Sequence, residues 1–255
     1  MVSAADRVKN PARTSVWLDR APSRTRRTDQ PAGLDRERIV AASVRLLDTE
    51  GLVKFSMRRL TAELGVTAMS LYWYVDTKDD LLELALDSVY SEIHPPSEDA
   101  HWHDRLRELA RQYRGVIVRH VWAAHLAGGF LNIGPNALAM SRAILDVIRA
   151  TGLPLERQAG AIAAVFQFVY GFGTIEGHFA QRSADAGMSQ EDYYQQAMAA
   201  VRDRPQLSQV MEPSVELMEA RGCDTVEGMR DRDFTYALDL LIAGIEATRE
   251  LGGER

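Results

Sequence analysis

Three observations predict an all-α chain. From residue 34 onward, apolar residues return at i, i+3, i+4 and i+7 in segment after segment. The interruptions fall at capping or breaking residues, among them Asp35, Gly51, Ser56, Gly65, Thr67, Thr77, Pro95-Pro96, Gly128-Gly129, Gly134-Pro135, Pro154, Pro205 and Gly222. No stretch alternates with period two, as a half-buried strand would. The 255 residues, 46% apolar and 26% charged, suit a soluble globular chain of one large or two small domains. No apolar run reaches the length of a membrane span, and the N-terminus lacks the apolar core of a signal peptide. The single Cys223 cannot close an internal disulfide, which fits a reducing compartment. A cytoplasmic chain with no membrane partner is expected.

Residues 1–33, with Pro11, Pro22, Pro31, Gly33 and scattered arginines, read as a flexible basic arm, broken by a short apolar island at Ser15–Leu18. Residues 1–34 carry seven Lys/Arg against three acids, whereas residues 35–93 carry seven against eleven and the remainder sixteen against twenty-two. The body is therefore acidic, which argues against non-specific cationic binding by it. Asp35 caps a first helix whose face is Ile39, Ala42, Ser43, Leu46 and Leu47, ending at Gly51. Ser56 caps a short second helix with Met57, Leu60 and Leu64 on one face, and Thr67 caps an equally short third. Thr77 caps a fourth, with Asp79 and Asp80 in its first turn, where the helix dipole favours acids. Its stripe is Leu82, Ala85, Val89 and Ile93, and Pro95-Pro96 should end it. Further helices are expected near 103–120, 136–151, 155–184, 190–202, 206–221 and 231–251. The domains are then an arm (1–33), a helix-turn-helix unit (34–80) and a larger helical body (81–255).

Two short helices joined by "LGV", with Gly65 in the tight turn, make a helix-turn-helix. Its second helix enters the major groove of double-stranded DNA. Thr67, Ala68 and Ser70 are small enough to approach base edges, while Leu71 and Val75 face inward. A run such as Tyr72, Trp73 and Tyr74 is more than packing alone needs; hydroxyls and ring edges of this kind contact phosphates, sugars and thymine methyls. Lys78 and Ser56, at helix starts, are placed for phosphates, and Arg58 for guanine.

The stretch "LDRERIVAASVRLLDTEG…SMRRLTAELGVTAMSLYWYVDTKDDLLELAL" resembles the DNA-binding domain of the tetracycline-repressor family of transcriptional regulators. "HWHDRLRELARQYR" and "FTYALDLLIAGIEATREL" extend the resemblance more weakly over the body. The long arm and the prevalence of Arg over Lys resemble actinobacterial members. The resemblance implies an all-helical homodimer that binds a palindromic operator, represses an exporter or biosynthetic gene, and leaves DNA when a small molecule binds the body. It places Ser56, Arg58, Thr67, Ala68, Ser70, Tyr72, Trp73, Tyr74 and Lys78 at DNA-contact positions. His94 matches a ligand-contacting histidine, but Leu109 replaces a ligand-bonding amide and the metal-chelating region near "WAAHLAGGF" is poorly preserved. Neither a cofactor nor a metal is expected.

Mixed apolar, aromatic and polar character nominates Trp102, Tyr113, Ile117, Trp122, His125, Phe130, Phe166, Gln167, Tyr170 and Thr174 as pocket lining beside His94. Plain core is the competing reading for Phe166 and Tyr170. "GFGTIEG" lacks a nucleotide-loop spacing and reads as close helix packing. "HWHD" reads as a helix start capped by Asp104 rather than a metal site. The helix at 231–251, with Phe234, Ala237, Leu238, Leu241, Ile242 and Ile245 on one face, should join helix 155–184 in a dimer. Arg24, Arg26 and Arg27 are placed to enter the minor groove. Competing functions are an enzyme, for which no catalytic set is present, and a regulator that senses a protein partner or activates transcription.

Overall fold

The structure, a computed structural model, describes residues 15–18, 34–220 and 225–252. The expectations for Arg24, Arg26, Arg27 and the break at Gly222 lie outside the described residues. Within them the chain forms helices and no strand.

Helix α1 (Arg36–Lys54) starts where Asp35 accepts from Arg38 N at 2.7 Å, and buries Ile39, Ala42, Ser43, Leu46 and Leu47, the face read from the sequence. Gly51, at φ 78°, breaks its geometry, and one further turn follows. Helix α2 (Met57–Leu64) is capped by Ser56 and closed by Gly65 in the left-handed region, and Thr67 caps α3 (Ala68–Tyr72).

Helix α4 (Lys78–Tyr90) opens on a full capping box: Thr77 accepts from Asp80 N while the Asp80 carboxylate accepts from Thr77 N. It ends at Tyr90, short of the expected prolines. Tight turns, each closed by a bond to the carbonyl three residues back, carry the chain through Ser91, Glu92 and Ile93. Nor is α4 amphipathic. It is buried on nearly all sides, with Asp80, Glu83 and Asp87 inside alongside the predicted stripe.

The body holds α5 (Trp102–Arg119), α6 (Val121–Ala127), α7 (Pro135–Ala150), α8 (Leu155–Asp185), α9 (Gln190–Arg202), α10 (Pro205–Ala220) and α11 (Val226–Gly252). His101, not Asp104, is the cap of α5; Asp104 sits in its first turn. Helix α6 was not predicted, and no side chain caps its start. Helix α11 begins five residues early because Thr225 accepts from Gly228 N at 3.0 Å.

Helices α5 and α8 run together through the centre. Gly173 and Gly177 of "GFGTIEG" make this possible. A Cβ at Gly177 would lie 3.0 Å from Val121 Cγ2 and 3.4 Å from Ile117 O. Arg114, almost buried, binds both oxygens of Glu176 at 2.7 and 2.9 Å and Asp231 at 2.7 Å, and covers the rings of Phe172 and Phe234. One guanidinium thus fastens α5 to α8 and α11.

Helix α8 corrects one expectation. Its 31 residues include an 18-residue window of mean hydropathy 1.3, long and apolar enough to span a membrane, yet only 17% of that window is buried within the chain. Gly160 and Gly171 face open space, and Ile175 on α8 and Tyr236 and Leu240 on α11 are 73%, 68% and 57% exposed.

Candidate DNA-binding face and ligand core

Helices α2 and α3 form one end of the molecule. Leu60, Leu71 and Val75 anchor them, and Gly65 at φ 67° and ψ 32° makes the turn between them. Beyond that base Thr67, Ala68, Met69, Tyr72 and Trp73 are exposed, Met69 by 70%. Met69 was missed by the sequence reading, which weighted polar and aromatic contacts. The Thr67 and Ser70 hydroxyls pair with each other at 2.9 Å, holding the first turn of the exposed helix.

The aromatic run is not one surface. Tyr72 and Trp73 are each 43% exposed, while Tyr74 turns inward and donates to the Leu34 carbonyl at 2.5 Å, so its hydroxyl proton is already committed. Lys78 likewise donates to the Phe55 carbonyl at 2.8 Å and lies beside that ring, tying the start of α4 to the entry of α2. Two ammonium protons remain. Ser56 spends an oxygen lone pair on Arg59 N and keeps its proton. Arg58 is exposed, whereas its neighbour Arg59 is held by Glu50 and Glu63.

The predicted pocket residues divide into three groups. Trp102, Tyr113, Ile117 and Phe166 lie in or against the core, with Phe130 packed at its edge and the Tyr113 and Phe166 rings 6.1 Å apart. Tyr170 on α8, 36% exposed, donates its hydroxyl proton to the Ala124 carbonyl at 2.8 Å. Tyr90, unpredicted, joins them. Burial pushes its phenol far above the ordinary value, helped by Tyr113, Asp87 and Tyr170, and pushes that of Tyr113 up to about 12, helped by Tyr170. Tyr90 and Tyr113, protonated in an apolar core, are hydrogen-bond donors for a carbonyl or carboxylate, whereas the Tyr170 proton is committed to Ala124. The buried Trp102 indole N–H, at the start of α5 beside His103, has no partner among the described residues.

The second group is exposed. His94 lies outside the core, its ring on the Glu92 carbonyl and its backbone on Gln112. Gln167 and His125 also face outward, and Thr174 bonds back to the Tyr170 carbonyl at 2.6 Å.

Trp122 is a third case. Its indole donates to Asp48 at 2.7 Å, so it joins α6 to α1. With His125 it lines an open cleft of about 570 Å³ between the end of α1, α6 and α8, apart from the phenols. The histidines of "HWHD" have local roles: His101 caps α5 and His103 meets Glu246 at 3.1 Å. Among the described residues no cluster of three or more metal-binding side chains occurs.

Comparison with known proteins gives this geometry a family. Residues 39–85 match the family described as "Bacterial regulatory proteins, tetR family", and residues 94–249 match "Tetracyclin repressor-like, C-terminal domain". Over 163 residues the chain is 40% identical to an HTH-type transcriptional regulator of Saccharopolyspora erythraea, covering 64% of this chain and 67% of that protein. It is 29% identical to the HTH-type transcriptional repressor DrrR1 of Streptomyces coeruleorubidus, across 92% and 85% of the two chains. The structure of apo ActR from Streptomyces coelicolor superposes with a TM-score of 0.67 at 28% identity, covering 87% of this chain and 99% of that one, and ActR has also been solved in complex with actinorhodin. Both halves match the same group of proteins, and the chain therefore belongs to the tetR family of bacterial transcriptional regulators, which are not enzymes.

Proposed function

We propose that the chain is a ligand-responsive repressor that binds a palindromic operator as a homodimer and is released by a small aromatic or lipophilic molecule. The observation that carries this reading is α4. One buried helix has Lys78 beside the DNA-binding face at its start and Tyr90 among the core phenols at its end. A ligand that displaces Tyr90 moves α4, and α4 carries the spacing of the two recognition helices with it.

Residues 34–80 are assigned to DNA binding and 81–255 to ligand binding and dimerisation. Arg58, Thr67, Ala68, Met69, Tyr72 and Trp73 would approach bases and backbone, with Ser56, Ser70 and Lys78 at the phosphates and Arg24, Arg26 and Arg27 in the minor groove. Tyr90, Trp102, Tyr113, Ile117, Phe166 and Tyr170 would hold the ligand; the two buried phenol donors, Tyr90 and Tyr113, suit a flat molecule bearing carbonyl acceptors. The exposed apolar positions of α8 and α11 support a dimer, because surfaces of this kind mark interfaces. The working compartment is the cytoplasm, where a chromosomal operator is found.

The test is fluorescence anisotropy of the protein against the intergenic DNA beside its own gene, over a salt series, with a scrambled duplex as control. Binding at least about a thousandfold tighter to the native duplex is expected. Actinorhodin, the compound bound to ActR, is the first probe for release. Equal binding to both duplexes would refute the repressor reading.

A further inference from the structure

The apolar island Ser15–Leu18 is anchored to the helices behind it. Ser15, 1% exposed, donates to Glu83 Oε1 at 2.5 Å, and Val16 N donates to Glu83 Oε2 at 2.9 Å. Trp17 N donates back to the Ser15 hydroxyl at 3.2 Å, and Leu18 N to its carbonyl, closing a turn. Glu83 is itself 2% exposed, in the middle of α4. A carboxylate so deeply buried is unfavourable unless its oxygens are filled, and the arm fills both.

Trp17 extends the contact. It lies under the Arg36 guanidinium of α1 at 5.7 Å and against Gly134 at the start of α7. There is no room there for any larger residue: a Cβ on Gly134 would overlap the Asp87 carboxylate and come within 2.8 Å of Trp17 Cε2. Asp87, one turn beyond Glu83, accepts from Ala137 N at 2.9 Å and Asn136 Nδ2 at 3.0 Å. Three residues of the arm, Ser15, Val16 and Trp17, therefore touch α1, α4 and the beginning of α7 at once.

We propose that Ser15–Leu18 is an intramolecular strap that sets the position of α4, making the arm a built-in effector of DNA binding. This rests on the reading of α4 as the link between ligand core and DNA face. The strap acts by occupying Glu83. When it leaves, a buried carboxylate has lost both donors, and α4 must shift to bring water to it. Any state of α4 that disfavours the strap is disfavoured in turn, so strap and ligand are linked reciprocally.

The experiment is a mutant cycle of the full-length chain: Ser15→Ala, Glu83→Gln and both together. Hydrogen exchange over α4 and affinity for a duplex selected by the wild-type protein are measured across a salt series. Ser15→Ala should speed exchange in α4 and change the DNA Kd by about fivefold or more, in the direction that tells which state the strap favours. The salt slope should stay unchanged, because Ser15 meets no phosphate. Adding Ser15→Ala to Glu83→Gln should change little further, which also guards against a simple folding defect. Unchanged exchange would show that the strap does not form. Faster exchange with an unchanged Kd would reduce it to a structural tie, and a flatter salt slope would reassign Ser15–Leu18 to DNA; each overturns the proposal. A wild-type chain that selects no duplex would remove the regulatory role along with the α4 reading, and α4 exchange would tell that failure from loss of the strap.

Discussion

At the scale of single residues, the junction between the two ends of the molecule turns on His120. It is 5% exposed, with Nδ1 2.7 Å from Asp48 Oδ1 of α1 and Nε2 2.8 Å from Glu92 Oε1 of the turn after α4. A neutral imidazole has one N–H, so one of these carboxylates would face a lone pair; the geometry requires imidazolium. The other groups facing the cluster are Arg119, on Glu92 Oε2 at 2.7 Å, and the Trp122 indole, on Asp48. Burial opposes the charge, but the hydrogen bonds to Asp48 and Glu92 outweigh it and hold the pKa above the ordinary histidine value. The sign follows from linkage. A raised folded-state pKa gives stability that is whole below the ordinary value and fades as pH rises through the higher one. His120→Gln should therefore cost about 1–3 kcal/mol at pH 5.5 and progressively less above neutrality, read from denaturant midpoints of both proteins across pH. A cost independent of pH would remove imidazolium from the junction.

At the scale of elements, what could be read in the sequence was whatever has a local cause. Caps at Asp35, Ser56, Thr67 and Thr77, the turn at Gly65 and the buried face of α1 each depend on residues within a turn of one another, and each was found where expected. Long-range causes were illegible. Periodicity counts Glu83 and Asp87 as surface, because their donors lie 67 and 50 residues away. Tyr90 went unnoticed because its partners sit on α5 and α8, and α6 because nothing caps it. The glycines of α8 were legible as packing residues, but not which of them faces inward. The structure separates them: Gly177 touches α5 and α6 while Gly171 meets nothing. Gly177→Ala should push α8 off its neighbours and lower stability by about 1–3 kcal/mol by thermal melting. A neutral result would mean that the helices are more loosely seated than the 3.0 Å approach implies.

At the scale of the whole molecule, the exposed apolar side chains on α8 and α11 predict assembly. Ile175→Arg places a charge on the most exposed apolar position in the outer half of α8. It should convert a dimer to a monomer by light scattering and weaken operator binding at least tenfold, since half the contacts are then recruited separately. An unchanged mass would move the interface elsewhere. Within one chain, the two functional ends are joined by more than a connecting helix. Helix α7 starts at Pro135 without a cap of its own; Gly134 has no side chain to give, and Asp87 of α4 supplies the acceptor. This matters to anyone who builds hybrid regulators by grafting a foreign DNA-reading end onto this body. A graft that ends in the loop after α4 replaces residue 87, and with it the group that starts α7. The true seam runs through the Asp87–Asn136 contact, so a working hybrid must carry Asp87 with the recipient body, or import both sides of that contact together.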